Sequence, residues 1–193
     1  YSKKSQITNI NYITSKPYFF KDTIISNLKL VNNSDDEIKE ACKLVNVYDT
    51  IKALPDGFNS PIDILSQRDQ YLLSVARTLL IHGEIVIFYE FPSYLSEQDD
   101  EIIKNVIELI KLNHTVIIFS ATNKCNSIAD KIYNVKDGRV KLSKHNTAEK
   151  EVSVFDALDD YDNTTMFSKT NSNKKGIQAL LKRYAEEHII EDK

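Results

Sequence analysis

The chain has 193 residues, with 25 Lys and Arg against 28 Asp and Glu, a net charge of −3. Apolar residues make up 41% and charged residues 27%, the balance of a soluble globular protein with one domain, or one domain and a tail. The acidic balance argues against a general nucleic-acid binder, which carries a basic excess. The four Gly exclude collagen-like and Gly-rich linker readings.

Those glycines, at 57, 83, 138 and 176, are too sparse for a Gly-rich phosphate loop within these residues. Cys42 and Cys125 cannot form a disulfide framework, and free thiols favour a reducing compartment, the cytoplasm. No run of about 18 apolar residues is present, and no signal peptide is visible. The four His (82, 114, 145, 188) lack ligand spacing, so no metal site is expected. The chain opens on Tyr1 and its one Met is Met166, so a piece of a longer polypeptide is expected.

In chain order, Asn9 to Thr14 alternates apolar and polar residues and reads as a strand, stopped by Lys16-Pro17. Asp22 to Leu30 is a short amphipathic piece. Ser34 with Glu37 forms a capping box, and the helix behind it carries Ile38, Ala41, Cys42 and Val45 on one face. Pro55-Asp56-Gly57 is a turn. Gln67 to Ile81 has the spacing of a helix. Glu84 to Tyr89 and Thr115 to Ser120 are short continuous apolar runs, the pattern of strands buried on both faces of a parallel sheet. Between them Ser96 opens a helix with Ile103, Val106, Ile107 and Ile110 as its stripe. Asn123 to Asp130 reads as a short helix, and Lys131 to Val135 with Arg139 to Leu142 as a hairpin around Asp137-Gly138. Residues 163–175 look like a linker, and Gly176 to Ile190 regains helical spacing. Helices alternating with strands mean an α/β fold with a parallel sheet.

Five collinear stretches then carry a resemblance. INYITSKPYFFKDTIISNL (10–28), ALPDGF (53–58), ILSQRDQYLLSVARTLL (64–80), EIVIFYEFPSYLS (84–96) and TVIIFSATNKCNSIADKIYNVKDGRV (115–140) follow the order of the second half of an ATP-binding-cassette (ABC) nucleotide-binding domain of exporter type. They resemble its Q-loop region, the segment before the signature, the signature loop and helix, the Walker B strand with D-loop, and the switch region. The resemblance implies a P-loop NTPase-like sheet with a helical subdomain at about 16–80, incomplete at its N-terminus, over residues 1–143. A C-terminal extension, 144–193, holds the linker and the helix 176–190.

The departures bear on chemistry. Ser15 stands at the Q-loop Gln, Gln67-Arg68-Asp69 at the signature Gly-Gly-Gln, Tyr89 at the Walker B Asp, Ser96 at the D-loop Asp and Ala121 at the switch His. Of the family's catalytic side chains in this stretch only the Walker B Glu remains, as Glu90: a general base, or a structural remnant. Ser66, ahead of a helix N-terminus, Arg68 and Ser15 are the candidate ATP-binding residues. Asp69 puts a carboxylate where an anion would sit, or is only a solvated first-turn residue. ATP and Mg²⁺, where bound, would be held through residues upstream of this chain.

The resemblance implies a nucleotide-binding-domain component of an ABC transporter, an exporter. Its ATP site would be degenerate and hydrolysis-impaired, a pseudo-ATPase. Its partners would be a second nucleotide-binding domain, as a homo- or heterodimer, and a transmembrane domain, at the cytoplasmic face of a membrane. Tyr18-Phe19-Phe20 suits the groove for coupling helices, or ordinary core packing. The alternative is a non-enzymatic interaction or regulatory module that kept the scaffold, because fold alone assigns no function. A third reading, a competent ATPase, needs a partner subunit to supply what is missing here.

Overall fold

A computed structural model describes residues 10–29, 33–81 and 83–145. The expected linker and tail helix, and nearly all of 144–193, lie outside the described residues.

Three five-residue strands form a parallel sheet in the order β1 (Ile10–Thr14), β2 (Ile85–Tyr89), β3 (Thr115–Phe119). The register is even: Ile10 pairs with Ile85 and Ile85 with Thr115, through Thr14, Tyr89 and Phe119 at the far end. Parallel neighbours need long crossovers, and helices supply them. Between β1 and β2 run α1 (Ile24–Leu28), α2 (Asp35–Leu44), α3 (Tyr48–Lys52), two short 3-10 turns and α4 (Gln67–Leu80). Between β2 and β3 runs α5 (Glu97–Lys111). A hairpin of β4 (Lys131–Lys136) and β5 (Arg139–His145) follows, as its turn residues predict.

Serines set three of the helix starts. Ser34, Ser66 and Ser96 are extended N-cap residues, and each side chain accepts from the amide three residues on. The box at Ser34 and Glu37 is closed in both directions. Behind these caps Ile38, Ala41, Cys42 and Val45 pack with Ile51, Leu72, Leu73 and Val75 in one core that continues into Val86, Phe88, Ile103 and Ile107. Cys42 is fully buried, the small core residue its helical pattern suggests.

Two local expectations are corrected. Residues 123–128 make i→i+3 turns, Asn126 to Asn123 and Ile128 to Cys125, rather than a helix. Asn and Ser favour such local bonds over a continuing helix, and the segment is too short to offset that. The strands are also not buried on both faces among the described residues. Ile13, Val86 and Phe88 face the helices and are buried. On the other face Ile10, Tyr12, Tyr89, Ile117 and Phe119 are 39–56% exposed. Tyr89 sits 6.2 Å from Tyr12 and 6.1 Å from Phe119, ring centre to ring centre, so an aromatic row crosses all three strands. Their composition suits a covered parallel sheet, but no described element lies over that face.

Candidate functional site

The carboxyl ends of parallel strands are where α/β folds place their chemistry. Here they lead into Ser15, Glu90 and Ser120-Ala121, with the N-termini of α4 and α5 as the neighbouring positive dipole ends.

Ser66 caps α4, and its hydroxyl is used twice within its own turn. It accepts from the Asp69 amide at 3.1 Å and donates to Asp69 Oδ2 at 2.6 Å. Arg68, one residue into the helix, turns away from open solvent. Its Nη1 donates to Asp69 Oδ1 at 2.7 Å, and its Nε lies 3.0 Å from each carboxylate oxygen of Asp99. A third donor, Nη2, also reaches Asp99 Oδ1. Asp99 in turn accepts from the Ser96 amide at 3.0 Å and its hydroxyl at 2.8 Å, the capping box of α5. Asp69 and Asp99 are both buried. Asp69 is therefore not the solvated first-turn residue its position suggests.

Electrostatics follow the geometry. Burial works against an ionised Asp99, but hydrogen bonds from Arg68 and Ser96 outweigh it and hold the carboxyl below the usual carboxylate range. Its hydrogen bonds to Asp99, and then to Asp69, raise the Arg68 guanidinium above its ordinary value against the cost of burial. One arginine thus bridges carboxylates in the first turns of two helices, and of the two only Asp99 accepts from a backbone amide, that of Ser96.

Ser15 reaches this cluster through its backbone. Tyr94 Oη lies 3.2 Å from the Ser15 carbonyl and 3.4 Å from that of Gln67, so one phenol links the end of β1 to the start of α4. Glu90 is exposed and takes φ = +58°, the left-handed region that a non-glycine residue occupies at a cost. Its amide donates to the Phe119 carbonyl at 2.9 Å, which holds the bend where β2 ends.

Ser66 and Arg68 are thus brought together, Ser15 is joined to them by a backbone link, and Glu90 stands on its own bend after β2. No group of three or more metal-ligating side chains occurs among the described residues. Sequence reasoning missed Asp99 and Tyr94. The Ser96 to Asp99 spacing marks a helix start, but nothing local announces a partner 31 residues upstream.

No family model matches the chain. In sequence it is 28% identical over 138 residues to ABC transporter B family member 2 of Dictyostelium discoideum, covering 68% of this chain and 10% of that protein. It is 27% identical over 138 residues to "Probable ABC transporter ATP-binding/permease protein" of Haemophilus influenzae, covering 68% and 25%. The chain therefore spans a quarter or less of the length of these two relatives. In fold it is similar to a bacterial Atm1-family ABC exporter solved with ATP bound, with a TM-score of 0.65 and 22% identity over 73% of this chain and 26% of that one. By sequence relatives and by fold together, the chain is similar to ABC transporters of the exporter type over about 70% of its length.

Proposed function

We propose that the chain is the nucleotide-binding-domain component of an ABC exporter whose ATP site on this side is hydrolysis-impaired. It acts by pairing with a second nucleotide-binding domain and by coupling to a membrane domain, at the cytoplasmic face of the membrane. No described helix is long and apolar enough to cross a membrane.

The observation that carries the impaired site is the closed circuit at the start of α4. A γ-phosphate there needs free amides and cations, and it meets Asp69 while Ser66 and Arg68 are already satisfied. Two unit negative charges about 4 Å apart at an effective dielectric of about 20 repel by roughly 4 kcal/mol. At the end of β2, Tyr89 offers a phenol where Mg²⁺ prefers anionic oxygen. The residues present therefore do not fit Mg-ATP, and no catalytic step is derived through it. ATP and Mg²⁺ are held, in this proposal, by a phosphate loop upstream of Tyr1, and the open apolar sheet face is where that segment packs.

A calorimetric titration of Mg-ATP into the native-length polypeptide tests this. Saturable binding near one ATP per chain is expected. No binding at millimolar ATP would favour the interaction-module reading instead.

A further inference from the structure

The β4–β5 hairpin has two unlike faces. Opposite residues of an antiparallel pair point to the same side. Past a bulge after Ile132 the register therefore puts Tyr133 with Leu142 and Val135 with Val140 on one face, and Asn134 with Lys141 and Lys136 with Arg139 on the other. The apolar face is open: Tyr133 is 55% exposed, Val135 74%, Val140 66% and Leu142 47%. Lys136, Arg139 and Lys141 are exposed on the basic face. Two strands alone are marginal in water, and a third strand ordinarily completes such a unit. Among the described residues β4 is the one strand beside β5, so the outer edge of β5 presents backbone groups open to pairing.

The chain runs on from that edge into Glu149-Lys150-Glu151-Val152-Ser153-Val154, which lies outside the described residues. In sequence this stretch alternates: Val152 and Val154 fall on one parity, Glu149, Glu151 and Ser153 on the other. An apolar and an acidic parity complement an apolar and a basic face. Three residues, Asn146 to Ala148, separate the stretch from His145, a common length for a hairpin connection. That connection sets His145 opposite Glu149, and so Leu142 opposite Val152 and Val140 opposite Val154. Glu151 then falls diagonal to Lys141 on the basic side. A slip of one residue would put both valines on the basic face, so the pattern selects this register.

We propose that the outer edge of β5 is a strand-addition site, and that its occupant is the chain's own segment 149–154. Val152 and Val154 extend the apolar face, Glu151 meets Lys141, and main-chain hydrogen bonds carry the pairing. A second copy could offer the same segment, but the short connection costs little closure entropy and holds the chain's own copy at high effective concentration. The assignment is independent of the nucleotide-binding reading. It makes this hairpin the point from which the rest of the C-terminal extension departs.

Disulfide trapping in the full polypeptide tests it. Cys42 and Cys125 are both buried, so an introduced pair is the reactive one. Leu142→Cys with Val152→Cys should close an intramolecular disulfide at least about tenfold faster than Leu142→Cys with Ser153→Cys, whose side chains would point to opposite faces. Equal rates in the two pairs, or closure in neither, would overturn the proposal. Closure only between chains would overturn the chain's own segment as occupant and assign the edge to a second copy. Amide exchange on the unaltered polypeptide removes any dependence on the variants' folding. Alternate amides across 151–154 should exchange at least about tenfold slower than in the unfolded chain, and exchange at the unfolded rate throughout would overturn the site.

Discussion

Arg68 and Asp99 lie 31 residues apart in the chain and meet with Nε 3.0 Å from both carboxylate oxygens. The pair joins the first turns of α4 and α5, each of which already carries a serine cap. It turns what would be two anion sites into one internal ion pair, with 2% of the Asp99 side chain exposed.

Removing Asp99 leaves Arg68 with Asp69 as its remaining carboxylate partner among the described residues. Asp99→Asn should destabilise the fold by about 2–4 kcal/mol, toward the lower part of the range for a broken buried pair because Arg68 is partly exposed. The pH dependence has a definite sign. Folding lowers the Asp99 pKa, so its contribution is present above its unfolded value of about 3.9 and is lost as the pH falls through the folded value. Urea unfolding of the wild type should weaken below about pH 4, and Asp99→Asn should lack that part of the loss.

Glu90 carries a testable strain. Glu90→Gly removes the side chain from a left-handed position, and thermal unfolding should show a gain of about 0.5–1 kcal/mol, less the extra entropy of glycine in the unfolded chain. A loss above about 1 kcal/mol would mean that the carboxylate makes a stabilising interaction.

The open sheet face predicts a separation between stability and solubility. Phe119→Ser and Tyr89→Ser remove exposed rings, so each should change the unfolding free energy by less than about 1 kcal/mol. Both should raise the concentration at which the 193-residue chain stays monodisperse in light scattering, because exposed contiguous apolar surface drives association.

Both thiols should be inert in the native state. Burial pushes Cys42 up to about 12 and Cys125 up to about 11, so at pH 8 almost no thiolate forms at either. Reaction with a disulfide reagent at pH 8 should be slow for both and should accelerate on unfolding.

Much of the fold was legible because its signals are local. The Ser34, Ser66 and Ser96 caps, the stripe of α5 and the Asp137-Gly138 hairpin each rest on spacing within a few residues. Where the reading went astray, long-range packing decides. Ile117 and Phe119 have the composition of a buried strand and only a neighbouring element could cover them. The short helix α3 escaped notice because five residues give no full period. The site divides in the same way. Ser66, Arg68 and Glu90 stood out by position, but that Arg68 turns inward to Asp99 is a tertiary fact with no local signature.

In the proposed function hydrolysis does not run through this chain's own site, and steady-state ATP turnover of the transporter proposed to contain it, carrying Glu90→Gln, tests that most directly. With Tyr89 where Mg²⁺ prefers an anionic oxygen and Asp69 bound to Arg68 in the first turn of α4, turnover should stay within about twofold of wild type. A loss of a hundredfold or more, the effect of removing a working general base, would contradict the account and restore Glu90 as a catalytic residue.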